Sequence, residues 1–206
     1  TGVPKGAYSV TAEASVVPGE TDIVDNTFST LAVVKEPIHD IAIAYVKPAK
    51  RVVGQGYKVK IGITVINQGD FAETFVVTPS YNSRSIGLYK AVTLKPGEIK
   101  IVTFEWDTTG IAKGKYLIDA YIVAPISGET DVADNTLKDG SVVVTIPGDV
   151  DGDFDVDYMD LYKLAKAYGS QQGDPNYVPE ADINCSGKVD YMDLYILAKH
   201  YRQKDP

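Results

Sequence analysis

A thirteen-residue segment occurs twice near the C-terminal end, and its surroundings leave few folds open. Val156-Asp157-Tyr158-Met159-Asp160-Leu161-Tyr162-Lys163-Leu164-Ala165-Lys166-Ala167-Tyr168 returns as Val189-Asp190-Tyr191-Met192-Asp193-Leu194-Tyr195-Ile196-Leu197-Ala198-Lys199-His200-Tyr201. Eleven of the thirteen positions are identical, and the copies lie 33 residues apart. Each follows a run of oxygen-bearing side chains on alternate positions. That combination predicts a loop that wraps a hard cation and then becomes a helix.

The first loop places Asp149, Asp151, Asp153, Asp155, Asp157 and Asp160 at positions 1, 3, 5, 7, 9 and 12 of a 12-residue frame. The second places Asp182, Asn184, Ser186, Lys188, Asp190 and Asp193 there. Calcium takes about six to eight oxygens, and such a loop supplies them from these positions. Position 7 offers its backbone carbonyl, so Lys188 is tolerated and the Asp155 side chain need not ligate. The spacing predicts two calcium ions, one per loop. Position 6 usually needs glycine for a sharp turn. The second loop has Gly187; the first has Phe154, which is strained if φ is positive.

The segment from about Gly148 to Tyr201 resembles a type I dockerin, on these two loop–helix repeats with Asp at loop position 12. The resemblance implies a small all-α calcium-binding domain with internal pseudo-two-fold symmetry. It implies a cohesin-like partner held by the helices, with loop positions 10 and 11 shaping partner choice. Those positions are Tyr158-Met159 and Tyr191-Met192, identical in the two repeats, so two near-equivalent binding faces are implied.

The helices also read on their own. Leu161, Leu164, Ala165 and Tyr168 recur at helical spacing, as do Leu194, Leu197, Ala198 and Tyr201, predicting one apolar stripe per helix. Tyr162, Lys163 and Lys166, with Tyr195, Ile196 and Lys199, fall off that stripe. Tyr162 and Tyr195 join the two Tyr-Met pairs as candidate partner-binding residues, since tyrosine is enriched at interface hot spots. Ordinary surface tyrosine is the alternative.

Before Gly148 the periodicity changes from helix to strand. Residues 57–65 alternate apolar and polar, and similar runs occur at 40–46, 71–78, 98–106, 116–123 and 141–146. Asn67-Gln68-Gly69-Asp70 and Lys95-Pro96-Gly97-Glu98 separate them as turns. Short strands with regular turn signals predict an antiparallel immunoglobulin-like β-sandwich over 36–147, with Trp106 in its core.

Residues 1–35 repeat the end of that sandwich. Gly6-Ala7-Tyr8 matches Gly114-Lys115-Tyr116, and Gly19-Glu20-Thr21-Asp22 through Asp25-Asn26-Thr27 matches Gly128-Glu129-Thr130-Asp131 through Asp134-Asn135-Thr136. The chain is therefore read as 1–35, the last strands of an incomplete sandwich; 36–147, a full one; and 148–206, the dockerin-like domain. The two Glu-x-Asp-x-x-Asp-Asn turns either hold cations or close by Asx-type turn bonds, the simpler reading. Asn67-Gln68-Gly69, Leu94-Lys95-Pro96-Gly97-Glu98, Phe104-Glu105-Trp106 and Gly114-Lys115-Tyr116 look like the CARDB (cell-adhesion-related) sandwich family of bacteria and archaea. That resemblance implies tandem surface-protein modules.

Composition narrows the function classes. Net charge is −8, with no basic stripe, which argues against nucleic acid. Residues 148–206 carry much of this acidity as ligand supply. No apolar run reaches the length of a membrane span. The absence of a signal peptide at Thr1 reads as a mature or excised chain. Cys185 is the single cysteine, so no internal disulfide forms. His39 and His200 are the only histidines, and no nucleophile, zinc or phosphate-loop motif is present.

These readings converge on a non-catalytic extracellular assembly or adhesion protein at a prokaryotic cell surface, whose calcium-loaded C-terminal domain docks a partner. The rival is a structural subunit of a filament or surface layer. In it, a neighbouring copy of the chain completes the N-terminal half-sandwich.

Overall fold

The computed structural model describes residues 2–205, and the chain divides into two compact units, 1–38 and 39–206. The first is an antiparallel hairpin of β1 (Gly6–Glu13) and β2 (Thr27–Val34), in register from Gly6↔Val34 to Glu13↔Thr27. Glu20 and Asp22 fold its turn by accepting the Val17 and Val24 N–H groups at 2.9 and 3.1 Å. Alternation puts Tyr8, Val10 and Ala12 on one face with Phe28, Ala32 and Val34. Within this unit that face stays largely uncovered: Phe28 is 69% exposed and Val10 51%.

The second unit begins with the sandwich that the strand periodicity predicts. One sheet is β3 (Ile41–Pro48), β5 (Lys58–Asn67) and β9 (Ile99–Asp107), antiparallel in the order β3–β5–β9. The other runs β4 (Val52–Gly54), β11 (Thr136–Thr145), β10 (Gly114–Ile122) and β6 (Glu73–Tyr81). Both β7 (Arg84–Ser85) and β8 (Lys90–Leu94) pair with β6. The alternation that suggested each long strand is realised as burial: Val59, Ile61, Ile63 and Val65 face inward from β5 and meet Val77, Ile118 and Val142. Trp106 is in this core, as expected, between Tyr81 and the edge of Tyr116. The Tyr116 hydroxyl donates to the Ala112 carbonyl at 2.6 Å, as Tyr8 does to Pro4 at 2.8 Å. The sequence repeat between the two β-hairpins is thus a structural one.

The short β4 escaped the periodicity because three buried residues, Val52, Val53 and Gly54, show no alternation; they pair parallel to β11. β7 is too short to carry a pattern.

A second core follows, built from Ile146, Val150, Val156, Leu164, Ala167, Ala181, Ile183, Val189, Ile196 and Leu197. It joins α1 (Tyr158–Ala167) and α2 (Tyr191–His200) to the loops before them, and Tyr57 of the sandwich packs against both cores. The expected helix stripe needs correction. Ala165, Tyr168, Ala198 and Tyr201 are exposed, whereas Ala167 and Ile196 are buried. The buried face is rotated toward Asp160 and Asp193, which must turn inward to their loops, so position 160 rather than 168 sets the helix orientation.

The two repeats interlock by exchange. The strand-like end of loop 1 pairs with the segment after α2: the Val156 N–H donates to Gln203 O and Arg202 N–H to Val156 O. The corresponding end of loop 2 pairs with the segment after α1: the Gly169 N–H donates to Val189 O and Val189 N–H to Ser170 O. Each repeat therefore finishes the other. Gly148 opens the unit at φ +108, where a Cβ would lie 2.9 Å from the Leu197 Cα, so only glycine lets α2 approach. Among the described residues no helix is long and apolar enough to cross a membrane.

Candidate metal centre and docking faces

Each loop is organised around its first and last aspartate. In loop 1, Asp149 Oδ1 accepts from Gly152 N–H at 2.6 Å and Oδ2 from Phe154 N–H at 2.8 Å. In loop 2, Asp182 Oδ1 accepts from Ser186 N–H at 2.9 Å and Oδ2 from Gly187 N–H at 2.8 Å. Asp160 accepts from Val150 and Asp151 N–H through Oδ1 and from Asp157 N–H through Oδ2. Asp193 likewise takes Asn184 and Asp190 N–H. Asp157 and Asp190 cap the helices by accepting Met159 and Met192 N–H at 2.6 and 2.8 Å. The same carboxylates that line the loop also start the helix, which couples the two folds locally.

The geometry of loop 1 fits a hard cation. One oxygen from each of Asp149, Asp151 and Asp153 lies within 4.8 Å of the others, and so do oxygens of Asp155, Asp157 and Asp160. Asp151 Oδ1 and Asp155 Oδ1 are buried with no hydrogen-bond partner. Lys163 and Lys204 reach the other face of these two residues, at 2.9 Å from Asp151 and 3.5 Å from Asp155. In loop 2, Asp182, Asn184, Ser186, Asp190 and Asp193 stand at the corresponding loop positions. There Asn184 Oδ1 accepts from Ser186 N–H, and the Ser186 hydroxyl bonds Lys188 O. The Lys188 side chain is exposed.

Electrostatics report the cost of these acids without a counter-ion. Burial pushes the Asp160 carboxyl up to about 6, against the pull of three backbone N–H groups. Burial also raises Asp149 and Asp193 above the usual carboxylate range.

Sequence reasoning missed three supporting residues. The Thr145 hydroxyl donates to Asp149 Oδ2 at 2.6 Å, and the Tyr177 hydroxyl to Asp182 Oδ2 at 2.8 Å. Each loop thus has one hydroxyl holding its first aspartate, from different residue types at different spacings, so no repeat betrayed them. The third is Lys50 of the sandwich, buried, whose Nζ donates to the Asp182 and Ile183 carbonyls at 2.9 and 3.4 Å.

The helices present matched outer faces. Tyr158 and Tyr191 are each 64% exposed, and Met159, Met192, Tyr162 and Tyr195 are exposed beside them. The Tyr158 and Tyr162 rings lie 6.3 Å apart, the Tyr191 and Tyr195 rings 6.5 Å. Lys166 Nζ sits 4.8 Å over the Tyr162 ring.

Residues 147–201 match the dockerin type I domain. No curated protein sequence matches the chain. Among solved structures, the chain is similar to the CARDB domain of a Pyrococcus furiosus protein, crystallised in complex with di-metal ions. That likeness is at 23% identity over 55% of this chain and 99% of that one, with a TM-score of 0.48. It is also similar to a domain of a cell-surface protein from Methanosarcina acetivorans, at 21% identity over 52% of this chain and 92% of that one, with a TM-score of 0.42. Dockerin domains bind calcium, and the two Asp-rich clusters of this segment, both in loop 1, are able to hold a metal ion.

Proposed function

We propose that the chain is a non-catalytic assembly module of an extracellular or cell-surface protein, prokaryotic in origin, whose dockerin-type segment docks a cohesin-like partner once both loops hold calcium. Asp149, Asp151, Asp153, Asp157 and Asp160 would hold one ion with the Asp155 carbonyl. Asp182, Asn184, Ser186, Asp190 and Asp193 would hold the other with the Lys188 carbonyl. Bound calcium supplies positive charge that neutralises mutually repelling carboxylates. Residues 1–35, 36–147 and 148–206 act in this reading as partial sandwich, CARDB-like spacer and docking domain.

The observation that carries the reading is the duplication of an exposed surface. The Tyr158-Met159 and Tyr191-Met192 pairs stand at the same point of two helices, each directly after its acid loop. Exposed aromatic pairs on rigid helices make good anchors. The test is titration of the purified chain with cohesin modules in calcium. Replacing Tyr158 and Met159 with Ala, or Tyr191 and Met192 with Ala, should leave binding through the other face. Replacing all four should abolish it. Undiminished binding by the fourfold variant rejects the docking faces, and complete loss from one pair with none from the other rejects their equivalence.

A second reading, a filament subunit, is favoured by one observation. The β1–β2 face with Val10 and Phe28 corresponds to the β10–β11 face whose Ile118, Ala120, Val142 and Val144 form a sandwich core. In this reading strands from another copy cover it by β-addition, in place of strands of the same protein that would precede this segment. Sedimentation over a wide concentration range separates the readings: polymers support the filament, a monomer throughout rejects it.

A further inference from the structure

Four acidic residues outside the dockerin-type loops, Asp40, Glu129, Asp131 and Asp134, lie where the β10–β11 turn meets the start of β3, near enough to feel one another's charge. Residues 39 and 129 form a parallel bridge. The Ile41 N–H donates to Glu129 Oε1 at 3.1 Å, and the Ile43 N–H to Asp134 O at 2.9 Å. Glu129 Oε2 also accepts the Ile126 N–H at 3.2 Å, so this side chain ties the turn to β3 with both oxygens. These bonds bring Asp40, which lies between residues 39 and 41, against the turn that carries Asp131 and Asp134.

Asp40 is only 9% exposed, and its Oδ1 is buried with no hydrogen-bond partner. Asp134 Oδ1 is also buried and unpartnered. Asn135, next in sequence and 5% exposed, has neither side-chain polar atom paired. None of Asp40, Glu129, Asp131 and Asp134 forms an ion pair among the described residues. Buried acidic oxygens facing like charge, with no donor and no cation, are costly unless something neutralises them.

We propose that Asp40, Asp131 and Asp134 hold a divalent cation of the calcium class, with Glu129 as the residue that positions the turn over β3. All the donors are oxygens, which suits a hard ion. Asp131 keeps one oxygen on the Ala133 N–H at 2.9 Å and has the other for the ion. Burial, then the charges of Asp131 and Glu129, raises the Asp40 carboxyl above its usual range; burial, then Asp40 and Asp131, does the same for Asp134. The site needs two segments distant in sequence. The β1–β2 turn repeats the Glu20, Asp22 and Asp25 pattern, but residues 2–38 contain no strand bearing a counterpart of Asp40. That turn is therefore not assigned an ion.

The test is the number of calcium ions bound per full-length chain, by equilibrium dialysis. The double variant Asp40→Asn, Asp134→Asn should bind one ion fewer than the wild type. An equal number overturns the proposal. The count is a difference, so it holds whatever the two dockerin-type loops bind. In chelator the double variant should melt no lower than wild type, because two repelling charges are gone; a clearly lower melting temperature overturns the proposal. Asp131→Asn, exposed and able to keep the Ala133 bond, should weaken one calcium step by about tenfold with the others unchanged. An unaltered isotherm overturns it.

Discussion

Phe154 and Gly187 occupy the same place in two loops and share one backbone conformation. Their φ angles are +72° and +89°, and each donates its N–H at 2.8 Å to Oδ2 of the loop's first aspartate. The left-handed turn is imposed by the loop, not chosen by the residue. Gly187 meets it without strain, whereas Phe154 carries the cost of a Cβ there.

Gly187→Ala should therefore destabilise the C-terminal unit by about 1–2 kcal/mol, the cost of a left-handed non-glycine residue. A Cβ at this position would have no atom within 4 Å, so the loss is conformational rather than steric. Gly187→Asn should cost less, since Asn tolerates this region. Denaturant unfolding in calcium gives both values; equal stability of the alanine variant and the wild type would show that the turn relaxes.

Without calcium, stability should fall as pH rises. Asp160 titrates near 6 in the folded protein and near 3.8 when unfolded. The folded state therefore binds its proton more tightly. The ionised form is penalised by folding, with no penalty below 3.8 and the full penalty above 6. Asp149 and Asp193 shift the same way. In chelator the helices should be more populated at pH 5 than at pH 7.5, where the account expects them to be lost. In calcium that advantage should shrink or reverse, because the ion favours the charged form. A chelated chain more stable at pH 7.5 contradicts the burial of these acids.

Lys50 links the sandwich to loop 2 through two backbone carbonyls. Lys50→Met keeps most of the apolar stem and removes the charged donor. It should lower stability by about 1.5–3 kcal/mol, the range for hydrogen bonds to a charged group. Loop 2 should then exchange its amide hydrogens faster, while loop 1 should not change. Equal exchange in both loops would mean that the contact carries no load.

What the sequence revealed depended on distance along the chain. The acid loops were legible because position, residue type and helix start all lie within one short repeat. The long strands were legible because inward residues such as Val59, Ile61 and Ile63 alternate without interruption. The helix faces were misread at Ala165, Tyr168 and Ile196, since apolar spacing ignores the demand that Asp160 and Asp193 turn inward. Thr145, Tyr177 and Lys50 carry no motif and acquire their roles only when distant segments meet. Asp40 and Asp134 are 94 residues apart, and only the pairing of the turn with β3 brings them together.

The central claim is that the loop–helix repeats depend on calcium for their fold. Far-UV circular dichroism at the helical minimum tests it most directly, because the described helices, α1 and α2, both belong to these repeats. The account predicts that chelator removes the helical signal from the full-length chain and that calcium restores it. A helical signal unchanged in excess chelator would contradict it.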